Sequence, residues 1–202
     1  MDSHVRVIEP PQPIVTLEEA KRHLIVDFDD DDELIKSLLL AATSWIDGPT
    51  GWLGCALGVQ TLELRVADFY SLACQQDVIP LPYPPIVEIV SITYRDPSGA
   101  SIVMPVGEYE ATLGGVRPLH NGWPTAEGTA DSVLIRYKVG WQTPDSADPS
   151  KLIADVPQAI RTAIMMLVAQ WYAVREAATT EGTVNKMPFA VEALLQPYRI
   201  YR

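Results

Sequence analysis

Apolar residues recur along this chain with two different periods, and the change from one to the other organises it. Ile160, Ala163, Ile164, Leu167, Val168, Trp171, Tyr172 and Arg175 stand at i, i+3, i+4, i+7, i+8, i+11, i+12 and i+15, the spacing of one face of an α-helix. The pattern predicts a long helix over 157–176, with Asp155 near its cap and Pro157 in its first turn. Beside that face Ala159, Met165, Met166, Ala169, Ala173 and Ala177 carry the apolar surface further round the cylinder. A helix apolar on most sides needs cover on most sides, from its own domain or from a neighbouring subunit. Trp45, Leu167, Trp171 and Tyr172 are therefore read as core and subunit-packing residues.

The same period appears near the start of the chain. Thr16 followed three residues later by Glu19 is a capping box, in which hydroxyl and carboxylate satisfy backbone N–H groups at a helix start. Leu17, Ala20, Leu24 and Val26 then form the stripe of a short helix ending near Asp27. Leu34, Ile35, Leu38, Leu39, Ala42, Trp45 and Ile46 predict a second helix over 33–47, stopped by Gly48, Pro49 and Gly51. The apolar face of this hairpin needs a partner, and the long helix is the expected one. A last short helix is predicted over 188–195. Before the hairpin, Pro10, Pro11 and Pro13 make residues 1–13 an extended arm whose order would come from a contact.

Between these helices the period falls to two. In 59–66, Leu62, Leu64 and Val66 alternate with Thr61, Glu63 and Arg65, which predicts a strand with one wet face. The β-branched run 86–94, the turn Asp96, Pro97, Ser98 and Gly99, and the run 102–104 predict a hairpin. Further strands are expected at 109–113, 115–118 and 132–139. Trp123 is the one large apolar group in the loop 119–130, and it is read as a plug at the sheet edge. The Pro-, Asp- and Ser-rich stretch 140–150 joins the strands to the long helix, and 179–187 is expected to be mobile. The fold class is α+β: a helical core, formed by the N-terminal hairpin and the long C-terminal helix, with an inserted antiparallel β-region. In one domain of 202 residues this assigns 14–51 and 151–196 to the helical core, 57–142 to the β-rich insertion and 197–202 to a C-terminal tail.

Charge narrows the function classes. With 15 Lys+Arg against 26 Asp+Glu the chain carries a formal −11, which is unsuited to gripping a phosphate backbone, since that needs clustered cations. Cys55 and Cys74 are too few and too separated for a zinc site or a disulfide framework, and are read as reduced, partly buried thiols. The first residues lack the basic flank and apolar run of a secretory signal, and no segment approaches the length of a membrane span. A soluble, intracellular protein without membrane contact is expected.

The search for chemistry returns little. The acidic run from Asp27 to Glu33 resembles the start of a calcium loop, but the glycine and glutamate that such a loop requires are replaced by Asp32 and Leu38. It is read instead as a turn followed by an acidic first helical turn. His4, His23 and His120 have no acidic or thiol partner at a telling spacing, and the glycines form no phosphate cradle. Glu108, Glu110 and Glu127 could supply a carboxylate pair of glycosidase type, with Trp123 as a sugar platform. No catalytic residue, metal site or cofactor is assigned. The tail is different: Pro197, Tyr198, Arg199, Tyr201 and Arg202 concentrate the residue types that most often anchor interfaces.

Three stretches together resemble a known family. The pattern VTLEEAKRHLIVDFDDDDELIKSLLLAATSWIDGPTG (15–51) looks like the opening of the head-tail connector, or adaptor, proteins of tailed bacteriophages and gene transfer agents. LPYPPIVEIVSITYRDPSG (81–99), with Tyr109 and then Asn121, Gly122, Trp123 and Pro124, is similar to longer members, and VPQAIRTAIMMLVAQWYAVRE with MPFAVEALLQPYR completes the order. The resemblance implies a non-enzymatic ring, a homo-oligomer expected to be a dodecamer. Such a ring joins the portal protein to a stopper or tail-completion protein in the virion neck, with DNA passing its lumen, and is assembled in the bacterial host cytoplasm. It also implies that the tail, Pro197, Tyr198, Arg199, Tyr201 and Arg202, reaches the portal. Two alternatives stand beside it: another neck or tail-completion protein of the same particle, and a β-rich carbohydrate-binding or hydrolase module.

Overall fold

The computed structural model describes residues 4–11, 13–73, 77–120, 122–144, 152–174 and 188–201. Asn121, Cys74, Arg175, Glu176, Ala177, the stretch 179–187 and Arg202, for which the sequence raised expectations, lie outside the described residues. The chain mixes helices with antiparallel sheets, an α+β architecture. It forms two compact units: Met1–Gln12 with Cys55–Gln142, and Pro13–Gly54 with Thr143–Arg202.

The first unit is built on a five-stranded antiparallel sheet. Its strands are β1 (His4–Glu9), β2 (Gln60–Val66), β4 (Ile86–Arg95), β5 (Ser101–Val103) and β8 (Val133–Val139). They lie in the order β1-β2-β8-β4-β5. Alternation decides one face: Leu62, Leu64 and Val66 from β2, Ile92 from β4, and Val133, Ile135, Tyr137 and Val139 from β8 are all buried. Phe69, Ile79, Val116 and Trp123 join the same apolar cluster. A second sheet has three strands, β3 (Ile79–Pro80), β6 (Tyr109–Thr112) and β7 (Gly115–Pro118), in the order β3-β7-β6. The turn at 96–99 closes as its residues demand, with the Asp96 carboxylate accepting from the Ser98 and Ala100 N–H groups and Gly99 at φ 84°.

One expectation changes here. The N-terminal arm is extended and takes its order from a contact, β1 pairing antiparallel with β2 from His4 opposite Arg65 to Glu9 opposite Thr61. That pairing makes β2 an interior strand, so its expected wet face is covered: Thr61 is 6% exposed and Glu63 fully buried. Thr61 donates to the Glu9 carboxylate at 2.5 Å. Glu63 takes ion pairs from Arg65 on its own strand (2.7 Å) and from Arg136 on β8 (2.6 Å). Burial pushes the Glu63 carboxyl up, but the two guanidiniums outweigh it and hold the group below its ordinary value.

In the second unit the helices are α1 (Leu17–Leu24), α2 (Asp32–Ile46), α3 (Gln158–Ala173) and α4 (Phe189–Leu195). The capping box forms as its sequence specifies: Thr16 Oγ1 accepts from the Glu19 N–H at 3.2 Å and Glu19 Oε2 accepts from the Thr16 N–H at 2.9 Å. The helix stops earlier than expected. Ile25 adopts φ 58° and donates to the Arg22 carbonyl, while Val26 donates to Lys21, so the chain turns out in a left-handed C-terminal motif. A β-branched residue there costs about 1–2 kcal/mol relative to an unstrained conformation, and its side chain is 92% exposed.

The long helix packs against α2 and α4. Its buried stripe is Ile160, Ala163, Ile164, Leu167 and Val168, and α2 contributes Ile35, Leu39, Ala42 and Ile46. The cap is not the expected one, because Pro157 occupies the cap position without a side-chain hydrogen bond and its carbonyl accepts from Ile160 and Arg161. Arg161 then anchors the helix start, donating to the Ile14 carbonyl and pairing with Glu19 at 2.6 Å. No helix among the described residues is long and apolar enough to cross a membrane.

Candidate assembly site

The aromatic residues assigned to packing meet in the helical unit. Trp45, near the end of α2, and Trp171, in the last turn of α3, stack with ring centroids 5.7 Å apart and planes 28° from parallel. Leu167, one turn earlier, is fully buried. Trp45 is 37% exposed and Leu40, on the same helix, 70%. Around α3 the second apolar strip, Met165, Met166 and Ala169, is half-buried. Tyr172 is also half-buried and is held through its hydroxyl, which donates to Asp31.

That contact and one lysine organise the acidic run. Lys21 Nζ reaches Asp29 Oδ1 at 2.6 Å and Asp32 Oδ1 at 2.7 Å. The hydrogen bonds that Lys21 donates to Asp29 and then Asp32 raise its ammonium above its ordinary value, and the bond accepted by Asp29 lowers that carboxyl. Asp32 and Glu33 stand in the first turn of α2, where carboxylates meet the positive end of the helix dipole. Among the described residues no cluster of three or more His, Cys, Asp or Glu side chains could hold a metal ion.

The C-terminal segment folds onto the turn that ends α2. That turn is tight: Trp52 donates to the Trp45 carbonyl at 2.9 Å and Leu53 to Ile46 at 3.2 Å. The single turn Gln196–Tyr198 leads the chain back to it, and the Ile200 N–H donates to the Leu53 carbonyl at 2.8 Å. Gly54, at φ 70°, allows this approach, because a Cβ there would sit 2.6 Å from the Ile200 carbonyl oxygen. The Arg199 guanidinium carbon lies 4.0 Å from the Trp52 ring centroid and 4.8 Å from that of Tyr201. Gln196 donates to the Tyr201 hydroxyl at 2.6 Å. Of the predicted tail residues, Tyr198 and Arg199 are half-buried while Pro197 and Tyr201 are exposed. Trp52, Leu53 and Gly54 were missed by sequence reasoning; a tryptophan beside a glycine turn carries no sign of which distant segment it will meet.

The residues of the hydrolase reading are dispersed. Trp123 is 3% exposed and stacks on Phe69 at 4.8 Å with planes 5° from parallel, its indole N–H donating to the Asp77 carbonyl at 2.6 Å. It is a core residue with no free face for a sugar ring. Glu110 pairs with Arg117, and Glu127 with Arg95 at 3.3 Å. Glu108 is exposed on a 3-10 turn, Val106–Glu108. Cys55 is buried, 3% exposed.

Comparison with known proteins bears on the same regions. Residues 14–82 match the family described as phage gp6-like head-tail connector protein. No curated protein sequence matches the chain. Among solved structures, a chain in the virion of a native gene transfer agent particle is similar with TM-score 0.73 and 20% identity, over 98% of this chain and 96% of that one. A chain in the neck of an empty gene transfer agent particle, computed with C6 symmetry, gives 0.69 and 22% over the same shares. One in the neck of the native particle, computed with C12 symmetry, gives 0.65 and 22%, again over 98% and 96%. The head-tail connector resemblance is thus borne out by a family match over residues 14–82 and by a fold shared, over nearly the whole chain, with chains in the necks of gene transfer agent particles.

Proposed function

We propose that this protein is a structural adaptor of the virion neck in a phage or gene transfer agent. It forms a ring that joins the portal of the capsid to a stopper or tail-completion protein. The observation that carries the reading is the coincidence, on one chain, of the connector match at residues 14–82 with a fold, shared with chains of gene transfer agent necks, covering 98% of it. A non-enzymatic role follows from that reading. The ring is a homo-oligomer, twelvefold in keeping with the C12 symmetry of one neighbour's neck. Its helical core is the part that packs between subunits, through Trp45, Trp171, Tyr172 and the surface around Leu167, with the β-region inserted at 57–142. Uncovered apolar surface at Leu40 (70% exposed) and Trp45 supports such a neighbour. A net charge of −11 lets DNA slide through the lumen without adhering. Assembly takes place in the bacterial host cytoplasm before the tail joins.

The tail, with Pro197, Tyr198, Arg199, Tyr201 and Arg202, is the portal-facing element. The test is direct: purified chain mixed with its portal should give rings under the electron microscope, and a strictly monomeric chain that fails to bind portal would count against the adaptor. Deleting residues 197–202 should weaken portal association, and unchanged affinity would remove the tail from the contact.

A further inference from the structure

We propose that the stack of Trp52, Arg199 and Tyr201 is a ready-made receptor for a carboxylate side chain of the portal. This rests on the reading of the tail as the portal-facing element and says what it recognises. Four observations converge on Arg199. Its guanidinium carbon lies over two aromatic rings, 4.0 and 4.8 Å from their centroids, within reach of cation–π attraction to both. The guanidinium N–H groups make no hydrogen bond to any described residue, whereas Arg65, Arg95, Arg117, Arg136 and Arg161 each pair with a carboxylate. The backbone on either side is held: Arg199 donates to the Gln196 carbonyl at 3.3 Å and Ile200 to Leu53 at 2.8 Å. Gly54 supplies the notch that lets the segment lie so close, since any Cβ would collide with the Ile200 carbonyl.

A guanidinium held over aromatic rings, with its N–H groups unpartnered among the described residues, fits an Asp or Glu side chain through two parallel N–H···O bonds, a geometry that lysine lacks. Ordering the segment beforehand removes part of the entropic cost of binding. Trp52 is then a positioning residue, and the acceptor is a carboxylate on the portal.

The experiment measures the affinity of the full chain for its purified portal at two salt concentrations, for the unaltered chain, the 197–202 deletion, and the substitutions Arg199→Lys, Arg199→Ala, Trp52→Ala and Trp52→Phe. Arg199→Lys and Arg199→Ala should each lower affinity about tenfold or more, equivalent to about 1.4 kcal/mol, and the loss should shrink at high salt. Trp52→Ala should lower it about threefold to tenfold, Trp52→Phe should restore most of it, and neither should matter once the tail is deleted. Thermal midpoints of these variants should stay close to that of the unaltered chain. Full affinity in Arg199→Lys overturns the carboxylate receptor. Loss of self-association without portal in Arg199→Ala also overturns it, by assigning the acceptor to a second copy. If the deletion leaves portal affinity unchanged, the tail reading itself falls; if the deletion weakens binding and the Arg199 variants do not, only the present proposal does.

Discussion

The two units set their salt-bridged carboxylates in different surroundings. In the β-rich unit Glu63 is fully buried in mid-strand, with Arg65 and Arg136 closing over it. In the helical unit the carboxylates at the starts of helices keep contact with solvent, Glu19 in the capping box of α1 and Asp29, Asp32 and Glu33 around the start of α2, while Asp47 at the end of α2 is buried. A buried charge is stable only while its partners remain, because water cannot replace them. A surface carboxylate loses little when its partner goes, since solvent takes over. The contrast teaches where this protein is vulnerable: the sheet depends on a few specific pairings, and the helical unit on apolar packing with small polar corrections.

The sharpest way to break that comparison is to remove both arginines. Arg65→Met with Arg136→Met leaves Glu63 as an uncompensated buried charge and should cost about 3–5 kcal/mol in urea unfolding at neutral pH; a loss below about 1 kcal/mol would show that water reaches the site. A smaller effect should appear with pH. The folded-state Glu63 group titrates below its ordinary value, so its stabilising contribution is present above the ordinary carboxylate range, near pH 4.3. It is lost as pH falls through the lower folded-state value. The stability difference between the unaltered chain and Glu63→Gln should therefore be largest at neutral pH and narrow in acid, and a pH-independent difference would contradict the ion-pair account. The smallest effect is Thr16→Ala, which removes one side of the capping box and should cost about 1 kcal/mol in thermal unfolding. A loss as large as that of the arginine pair would erase the distinction between the units.

Much of this was legible before any coordinates. Helices at 17–24, 32–46 and 158–173 follow stripes at helical spacing, and the strands at 115–118 and 133–139 follow alternation and turn residues. Where reading failed, long-range partners decided. Thr61, Glu63 and Arg65 look like a solvated face because alternation reports which residues share a side, and cannot report that β1 and two arginines will cover it. Ile25 ends α1 in a conformation that glycine usually takes, so no local signal marked the stop. Asp155 has the right chemistry for a cap, yet Pro157 takes the position. The candidate site was half visible: the tyrosines and arginines of the tail were suspect by type, while the Trp52 to Gly54 platform that orders them is distant in sequence.

By itself, then, the sequence determined the elements, the class, the family resemblance and the absence of any recognisable catalytic pattern, because periodicity, caps and turns are local properties of neighbouring residues. Only the tertiary structure decided that Glu63 is buried, that Trp123 faces the core and not a ligand, and that the Arg199 guanidinium lies over Trp52 with its donors unpartnered among the described residues. Each of those depends on which remote segment arrives beside a side chain, and burial, pairing and proton affinity follow from that neighbour.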